Sequence, residues 1–357
     1  MLRVAVFRYI PVIACVATLA GCATFHNAEP FPKEPKQMTV DVSKEMPSTW
    51  TEMPMGVHVV PNTRMLVSGH QAGQGASMLF GPLGVLVGSA INAERGKSML
   101  GDDKALGSHD LVSATEQLVK DGIAADAQSK LKFGPGIAGT PQLTLLPFVV
   151  LSYVNDTDVR PYVVVKTTLK DAAGAQVWSS RYISASAQAR PFAGDNGWLS
   201  DSGQPLKQAL EQSLRRSVDV MLRDVAGKTL RDPAKWMYVG GQYAFVKQPL
   251  KVKGNLVLDE GEYIAFTPRL GDVVVFTGVN IFDRKIVAIS DATEQDPNVA
   301  KFEVPEGNAQ RAAAKDGGDG KDSGASGAPG TPPAPAAPAA GPANTPAASL
   351  SMLAPAR

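Results

Sequence analysis

The chain has few of the residues on which most catalytic and metal sites depend. It contains two cysteines, Cys15 and Cys22, and four histidines among 357 residues, and charged residues make up only 19% of it. Lys and Arg number 35 against 34 Asp and Glu, so the chain has no excess of positive charge with which to bind nucleic acid. Since 44% of the residues are hydrophobic, the chain can still build a substantial core.

No metal or cofactor site is predicted. The histidines have no neighbours at ligand spacing, and HExxH and CxxC motifs are absent. Gly96-Lys97-Ser98 matches the end of a phosphate-binding loop, but Ile91 stands where the first glycine of that loop belongs. His109-Asp110 could orient a catalytic base, yet no GxSxG elbow or nucleophilic cysteine accompanies it. We therefore expect a protein that is not an enzyme, and an unrecognised hydrolase is an alternative.

The N-terminal residues have the pattern of a secretory leader. Arg3 and Arg8 precede an apolar stretch from Tyr9 to Ala20, which is shorter than the roughly 20 residues that a membrane-spanning helix needs. The stretch closes with Leu19-Ala20-Gly21-Cys22, which resembles the lipobox of bacterial lipoproteins. The resemblance implies that residues 1–21 are a signal peptide and that lipid is attached to Cys22.

The lipobox resemblance also implies a cellular location. Two or three acyl chains anchor a protein far better than one. Ala23 follows Cys22, where an Asp would resemble an inner-membrane retention signal, so the resemblance favours the periplasmic face of the outer membrane. Cys15 would leave with the leader, and the mature chain would then have no disulfide. The alternative is an ordinary signal peptide in which Cys22 has no role.

A second distinctive stretch is the glycine-rich segment at residues 69–91. Gly81, Gly84 and Gly88 lie in its uncharged part, and Gly84 and Gly88 have the small-xxx-small spacing that lets helices pack closely. The segment resembles the glycine zippers of some outer-membrane lipoproteins, which implies insertion into the membrane or self-association. The alternative is a glycine-rich helix that is buried in the protein or docked on its surface.

Periodicity predicts an α+β fold. Residues 162–169 and 176–184 alternate like strands around a turn with Gly174, and a capping box at Ser113-Ala-Thr-Glu116 predicts a helix. A longer apolar stripe at helical spacing starts near Pro205 and stops at Gly227. The expected architecture is an antiparallel sheet with one or two long helices on a face, followed by a small β-rich unit and a disordered C-terminal tail.

Composition predicts the domain boundaries. Residues 22–51 are rich in proline and polar residues and are expected to be an extended tether. The α+β domain is expected at 52–232 and the small β-rich domain at 233–305. Residues 306–357 consist largely of Ala, Pro and Gly and cannot bury enough surface to fold.

A further resemblance covers roughly residues 141–227. The hairpin that contains Gly174-Ala-Gln-Val-Trp178, followed by an amphipathic helix, is similar to periplasmic lipoproteins of the transporter-auxiliary and curli-secretion-like kind. The function predicted is that of a lipid-anchored periplasmic accessory in envelope assembly or transport, which acts through contacts with other envelope proteins. A homo-oligomer is left open. The alternatives are a lipoprotein that inserts or self-associates through residues 69–91, and an envelope hydrolase.

Overall fold

The computed structural model describes residues 29–46, 57–68, 106, 109–246, 249–269 and 278–300. These residues contain fourteen strands, which belong to one sheet, and two α-helices. The helices are α1 (Leu111–Ala125) and α2 (Ser200–Val225). The strands, in chain order, are β1 (Met38–Val42), β2 (Val57–Val59), β3 (Met65–Ser68), β4 (Leu131–Phe133), β5 (Gln142–Tyr153), β6 (Asp158–Lys170), β7 (Gln176–Ala185), β8 (Arg190–Pro191), β9 (Trp236–Gly241), β10 (Leu250–Asp259), β11 (Tyr263–Pro268), β12 (Val279–Asp283), β13 (Ala288–Asp291) and β14 (Val299–Ala300).

Three long antiparallel strands, β5 to β7, form the centre of the sheet. β5 and β6 pair along their whole length, from Gln142↔Lys170 to Tyr153↔Val159. In the turn between β6 and β7, Asp171 Oδ1 accepts hydrogen bonds from the backbone N–H groups of residues 173 and 175. The φ angle of 86° at Gly174 is one that a side chain would oppose. The hairpin predicted around Gly174 is confirmed.

The rest of the sheet is joined to this centre largely by parallel pairs. β1 and β3 both run parallel to β5, one after the other along the same edge. On the opposite side β12 runs parallel to β7. The order of the main path is β13-β9-β10-β11-β12-β7-β6-β5-β1-β4.

The predicted α+β fold class is wrong, because the chain is β-rich and its sheet is mixed. Strands far outnumber helices among the described residues. The strands after residue 235, predicted to form a small β-rich unit of their own, continue the same sheet because Val279 pairs with Tyr182 and Ile281 with Ser184. A parallel pairing between distant segments has no local turn motif. Alternation therefore predicts the strands without indicating which strands pair.

The two helices lie against one face of the sheet. The apolar stripe of α2 is buried at Leu206, Leu210, Leu214 and Met221, as predicted. Three residues of its first turn, at positions 201 to 203, have left-handed backbone angles, so the regular helix begins close to Pro205. Beyond its last turn the N–H of residue 228 reaches the carbonyl of residue 223, and residue 227 is a glycine with a φ of 69°.

Helix α1 begins earlier than the capping box predicts. The N-cap is Asp110, whose side chain accepts from the backbone N–H of Ser113. Ser113 therefore lies inside the first turn. The sequence indicates the helix correctly and places its start wrongly.

Two apolar clusters lie on the two faces of the sheet. The larger lies between the helices and the sheet and contains side chains of β1, β3 to β7 and β10 to β12. The second collects side chains of β3 and β5 to β7 together with those of β9 to β12. The segment after β9 reaches the central strands, where Phe245 N donates to Ser152 Oγ and Tyr162 OH donates to the carbonyl of residue 242. The segment after β9 thus packs on β5 and β6, which are far from β9 in the order of the sheet.

The N-terminal part of the described chain is built into the sheet. β1 lies within the range predicted as tether, and Met38 and Val40 are buried in the larger cluster. All the described residues belong to one compact unit. The domain boundaries given above stay a prediction.

Candidate functional sites

Most of the predicted site residues lie outside the part of the chain that the structure describes. Cys22, Gly81, Gly84 and Gly88 are among them, so the lipid site and the glycine-rich membrane contact stay predictions. His109 and Asp110, the pair behind the hydrolase alternative, are described. The described residues contain three candidate sites. They are the surroundings of this pair, an aromatic surface on β9, and the contact of the first described residues with β7.

His109 and Asp110 border a cavity of about 140 Å³ at the start of α1. The turn between β2 and β3 forms the opposite wall, with Thr63 and Arg64. Ligand pockets commonly exceed about 300 Å³, so the cavity, as bounded by the described residues, is small. The structure thus brings Arg64 to the His109-Asp110 pair, which sequence reasoning did not predict.

The carboxylate of Asp110 is engaged by its own helix. Oδ1 accepts from Ser113 N at 3.0 Å and Oδ2 accepts from Ser113 Oγ at 2.6 Å. These two hydrogen bonds, the side-chain one first, lower the pKa of Asp110 below its usual range. In the described part of the chain this carboxylate makes no hydrogen bond to His109, so the two side chains do not form the dyad of a general base and its orienting acid.

His109 has the environment of a neutral imidazole. Burial lowers its pKa, Lys207 on α2 lowers it further, and Glu211 opposes both effects. A neutral imidazole could accept a proton, but a base needs an orienting partner and a nucleophile within hydrogen-bonding reach. The only hydroxyl in the described cavity wall, that of Thr63, donates to the carbonyl of Val60 and accepts from Met65 N. The arrangement stabilises a turn and a helix start.

Arg64 fastens the edge of the sheet beside this cavity. Its guanidinium donates to the carbonyls of Pro147 at 3.3 Å and Ser43 at 2.9 Å. Burial lowers the pKa of Arg64, whereas Asp110 and Glu45 raise it. The side chain connects the β2–β3 turn, which supplies the guanidinium, with β5 and the residues after β1, which supply the two carbonyls. Its role is to hold backbone segments together.

Trp236 on β9 carries two cations over its ring. Arg269 Cζ lies 4.7 Å and Lys253 Nζ 5.3 Å from the ring centroid. The adjoining groove, about 630 Å³ in volume, is lined by residues 233, 234, 236 and 292–295. Lys253 is buried and donates to the carbonyl of Glu294 at 2.7 Å. The ammonium group of Lys253 is satisfied by the ring and by backbone oxygens, so Lys253 holds the loop that precedes β14 against the sheet.

The first described residues dock on the start of β7. Trp178 Nε1 donates to the carbonyl oxygen of Glu29 at 3.1 Å. The ring of Phe31 meets the ring of Trp178 edge to face, with centroids 4.9 Å apart and planes at 75°. Trp178 is buried in the larger cluster, against which Phe31 packs. The chain is therefore held to the body from Glu29 onward, seven residues after Cys22.

Within the described residues, no cluster of three or more His, Cys, Asp or Glu side chains has the arrangement of a metal site. Neither helix there is long and apolar enough to cross a membrane.

Comparisons with known proteins identify no family. No protein-family model and no curated protein matches the chain. One solved structure is similar: the crystal structure of rare lipoprotein B from Shewanella oneidensis, at 10% identity, with a TM-score of 0.25, over 32% of this chain and 86% of that one. A likeness with this TM-score supports no inference about this chain.

Sequence reasoning missed two of these arrangements for a physical reason. Arg64 gives no signal, because a single arginine in a strand-rich segment is more often exposed than buried. Trp178 follows an exposed valine at the start of a strand, which indicates that its ring points to the opposite face. The partner of that ring, Phe31, lies in a proline-rich segment that composition predicts to be free of the body.

Proposed function

We propose that this protein is a lipid-anchored accessory protein of the bacterial envelope, attached through Cys22 to the periplasmic face of the outer membrane. It acts through contacts with other envelope proteins and performs no catalysis. The lipobox pattern at residues 19–22 supports the anchor. Ala23, in place of an acidic residue, supports the outer membrane.

The roles of His109 and Asp110 support a protein that is not an enzyme. The Asp110 carboxylate accepts both available donors of Ser113 and serves as the N-cap of α1. Its neighbour Arg64 is engaged by two backbone carbonyls. These side chains stabilise the junction of α1 with the sheet, so the pair that motivates the hydrolase alternative has a structural use.

The observation that carries the proposal of protein contacts is the exposed edge strand β13. All four of its residues are exposed, and among the described strands it pairs only with β9. Ile289, on this strand, is 37% exposed. A strand at a sheet edge presents unpaired N–H and C=O groups, to which an extended segment of another protein can add. β13 therefore offers both backbone hydrogen bonds and an apolar side chain to a partner.

Photocrosslinking in living cells tests the contact surface. A photoreactive amino acid is placed at Ile289 in the full-length protein. The matched control places it at Leu230, which is 60% exposed but lies outside the strands. Crosslinks to envelope proteins from Ile289 and none from Leu230 are the expected result. Equal crosslinking from both positions, or none from Ile289, would contradict β13 as the contact surface.

Metabolic labelling tests the anchor. Cells that express the wild-type protein and the Cys22→Ala variant are given labelled palmitate and then fractionated. The wild-type protein is expected to carry label and to sediment with outer membranes, and the variant is expected to lose both properties. A Cys22→Ala protein that still incorporates palmitate would refute the lipid assignment.

A further inference from the structure

We infer that one end of the sheet, the end at which Trp178 lies, faces the surface of the bilayer. This Trp178 end comprises residues 29–37 and the β6–β7 turn with its flanking residues, 170–177. The inference rests on the proposed lipid at Cys22. It adds the orientation of the body on the membrane and assigns the contact surface to anionic lipid headgroups.

Only a short length of chain separates the proposed lipid at Cys22 from the folded part of the protein. Glu29 follows Cys22 by seven residues. At no more than about 3.3–3.6 Å per residue, this stretch spans at most about 25 Å when fully extended. The carbonyl of Glu29 is bound by Trp178 Nε1, and Phe31 packs on the same ring. The Trp178 end therefore stays within about 25 Å of the lipidated residue, whatever path the intervening chain takes.

The folded part of the protein is longer, along its central strands, than the reach of this connection. β6 contains 13 residues, which at about 3.3 Å per residue extend over roughly 40 Å. The β5–β6 turn, with Thr157, lies at its start, and the β6–β7 turn, with Ala173, lies at its end. If the Thr157 turn touched the bilayer with the strands upright, Trp178 would lie roughly 40 Å above it. The chain from Cys22 is too short for that, so the upright inverted orientation is excluded.

Exposed apolar and basic side chains lie at and beside the Trp178 end. Val177 in β7 is 52% exposed, and Ile137, in the loop that leads to Gln142 in β5, is 54% exposed. Within the Trp178 end the numbers of basic and acidic residues are equal: Lys33, Lys36 and Lys170 against Glu29, Glu34 and Asp171. The excess of positive charge comes from the neighbouring segment at β4, which adds the exposed Lys130 and Lys132. Basic side chains beside exposed apolar ones suit a surface of anionic headgroups above acyl chains.

The cysteine content of the chain makes the orientation measurable. Cys15 precedes the proposed cleavage site and Cys22 would be blocked by lipid, so an introduced cysteine is the only free thiol of the mature protein. Ala173→Cys and Thr157→Cys place that thiol in two exposed turns at opposite ends of β6. Each full-length lipidated variant is labelled with a fluorophore and reconstituted in vesicles of phosphatidylethanolamine and phosphatidylglycerol that contain a headgroup spin label.

The expected result is loss of fluorescence for the label at residue 173 and no loss for the label at residue 157. Equal quenching of the two labels, or stronger quenching at 157, would overturn the orientation. Palmitate labelling of the same preparations separates the two proposals. Absence of lipid on Cys22 would overturn both the proposed function and the orientation, whereas lipidated protein quenched at 157 would overturn the orientation alone.

A linker variant tests whether chain length sets the orientation. A flexible Gly/Ser linker of about 20 residues inserted after Ala23 adds a root-mean-square reach of about 25 Å. Quenching at residue 173 is expected to fall relative to the parent protein. Unchanged quenching would show that the short connection does not hold the Trp178 end at the membrane.

Vesicles of neutral phosphatidylcholine test the contribution of headgroup charge. Weaker quenching of the label at residue 173 is expected in these vesicles than in the anionic ones, and equal quenching would overturn the assignment to anionic lipid.

Discussion

The phenol oxygen of Tyr182 lies 2.6 Å from Oδ2 of Asp224 and donates a hydrogen bond to it. Tyr182 belongs to β7 and Asp224 to the last turn of α2, so this bond joins the helix to the centre of the sheet. Arg231 Nε donates to Oδ1 of the same carboxylate at 2.6 Å, and its Nη2 lies 2.5 Å from Oδ2. Thr229 Oγ1 adds a third partner. A buried carboxylate is thus satisfied on both oxygens.

Loss of the Asp224 carboxylate should destabilise the protein strongly. Asp224→Ala removes the buried carboxylate that accepts hydrogen bonds from the Arg231 guanidinium and the Tyr182 hydroxyl. Breaking one side of a buried ion pair costs about 3–5 kcal/mol. Urea unfolding followed by far-UV circular dichroism should show a lower free energy of unfolding by about that amount.

Asp219 supplies the matched control for Asp224. It lies on the same helix, and its side chain is 40% exposed while it pairs with Arg223. Exposed ion pairs contribute about 1 kcal/mol or less. Asp219 also accepts a hydrogen bond from the Tyr263 hydroxyl at 3.0 Å, and such a bond contributes about 1 kcal/mol. Asp219→Ala should therefore have a smaller effect than Asp224→Ala. Similar losses for the two variants would show that burial of the Asp224 pair does not determine its contribution.

Replacing Asp110 separates a helix cap from a catalytic acid. Asn caps a helix about as well as Asp does, whereas Ala costs about 1 kcal/mol. Asp110→Asn should therefore keep nearly all of the wild-type free energy of unfolding at pH 7, and Asp110→Ala should lose about 1 kcal/mol. Urea denaturation of the two variants measures the difference. Loss of turnover of any envelope substrate in Asp110→Asn, with stability retained, would contradict the structural role.

The cap also predicts a dependence of stability on pH. The pKa of Asp110 is below its model-peptide value of 3.8 in the folded protein, so the folded state binds its proton less readily than the unfolded state. The contribution of Asp110 is then present above pH 3.8 and is lost as the pH falls through the lower folded pKa. The difference in unfolding free energy between the wild type and Asp110→Asn should shift against the wild type over that acidic interval.

The contact between Phe31 and Trp178 should control protease access to the first described residues. Phe31→Ala removes the edge-to-face ring pair, which contributes about 0.5–1.5 kcal/mol beyond its buried area. Trypsin should then cleave after Lys33 and Lys36 faster than in the wild type, as measured by mass spectrometry over a time course. Val177→Ala changes an exposed neighbour and should leave the cleavage rate unchanged. Equal cleavage of Phe31→Ala and wild type would contradict docking in solution.

The parts of the fold that depend on neighbouring residues could be predicted from the sequence. The hairpin around Gly174 and the stripe of α2 depend on alternation, on helical spacing and on a residue that tolerates a positive φ. The parts that depend on distant pairing could not. The parallel pair Val279↔Tyr182 joins segments nearly a hundred residues apart. The docking of Phe31 on Trp178 is equally non-local.

The same limit applies to the candidate sites. His109-Asp110 has the residue types of a catalytic pair, and only the position of Ser113 one turn later shows that the carboxylate is used as a cap. A capping box at Ser113 and Glu116 competes for the same helix start in the sequence. Asp110 is the cap because the first turn begins at Leu111, whose side chain is buried in the larger core. Burial of that leucine decides between two caps that are otherwise of similar strength.

Gly254 of β10 lies directly against the backbone of β11, and its substitution should be far more harmful than that of a helical glycine. A Cβ at this position would lie 2.0 Å from the backbone oxygen of Thr267 and 2.5 Å from Phe266 Cε2. The backbone of β11 cannot move away without breaking the pairing of Gly254 with Pro268. Overpacking of a core costs about 1–3 kcal/mol, and Gly254→Ala should reach the upper part of that range in urea unfolding.

Gly122 in α1 provides the control for Gly254. A Cβ there would lie 2.3 Å from Cδ1 of Leu222, which is the far end of a half-buried side chain that can rotate away. Alanine also favours a helix interior by about 1 kcal/mol over glycine. Gly122→Ala should therefore change the free energy of unfolding much less than Gly254→Ala, although both added methyl groups start from an overlap. If the two variants lost equal stability, the rigidity of the β10–β11 backbone would not be the cause.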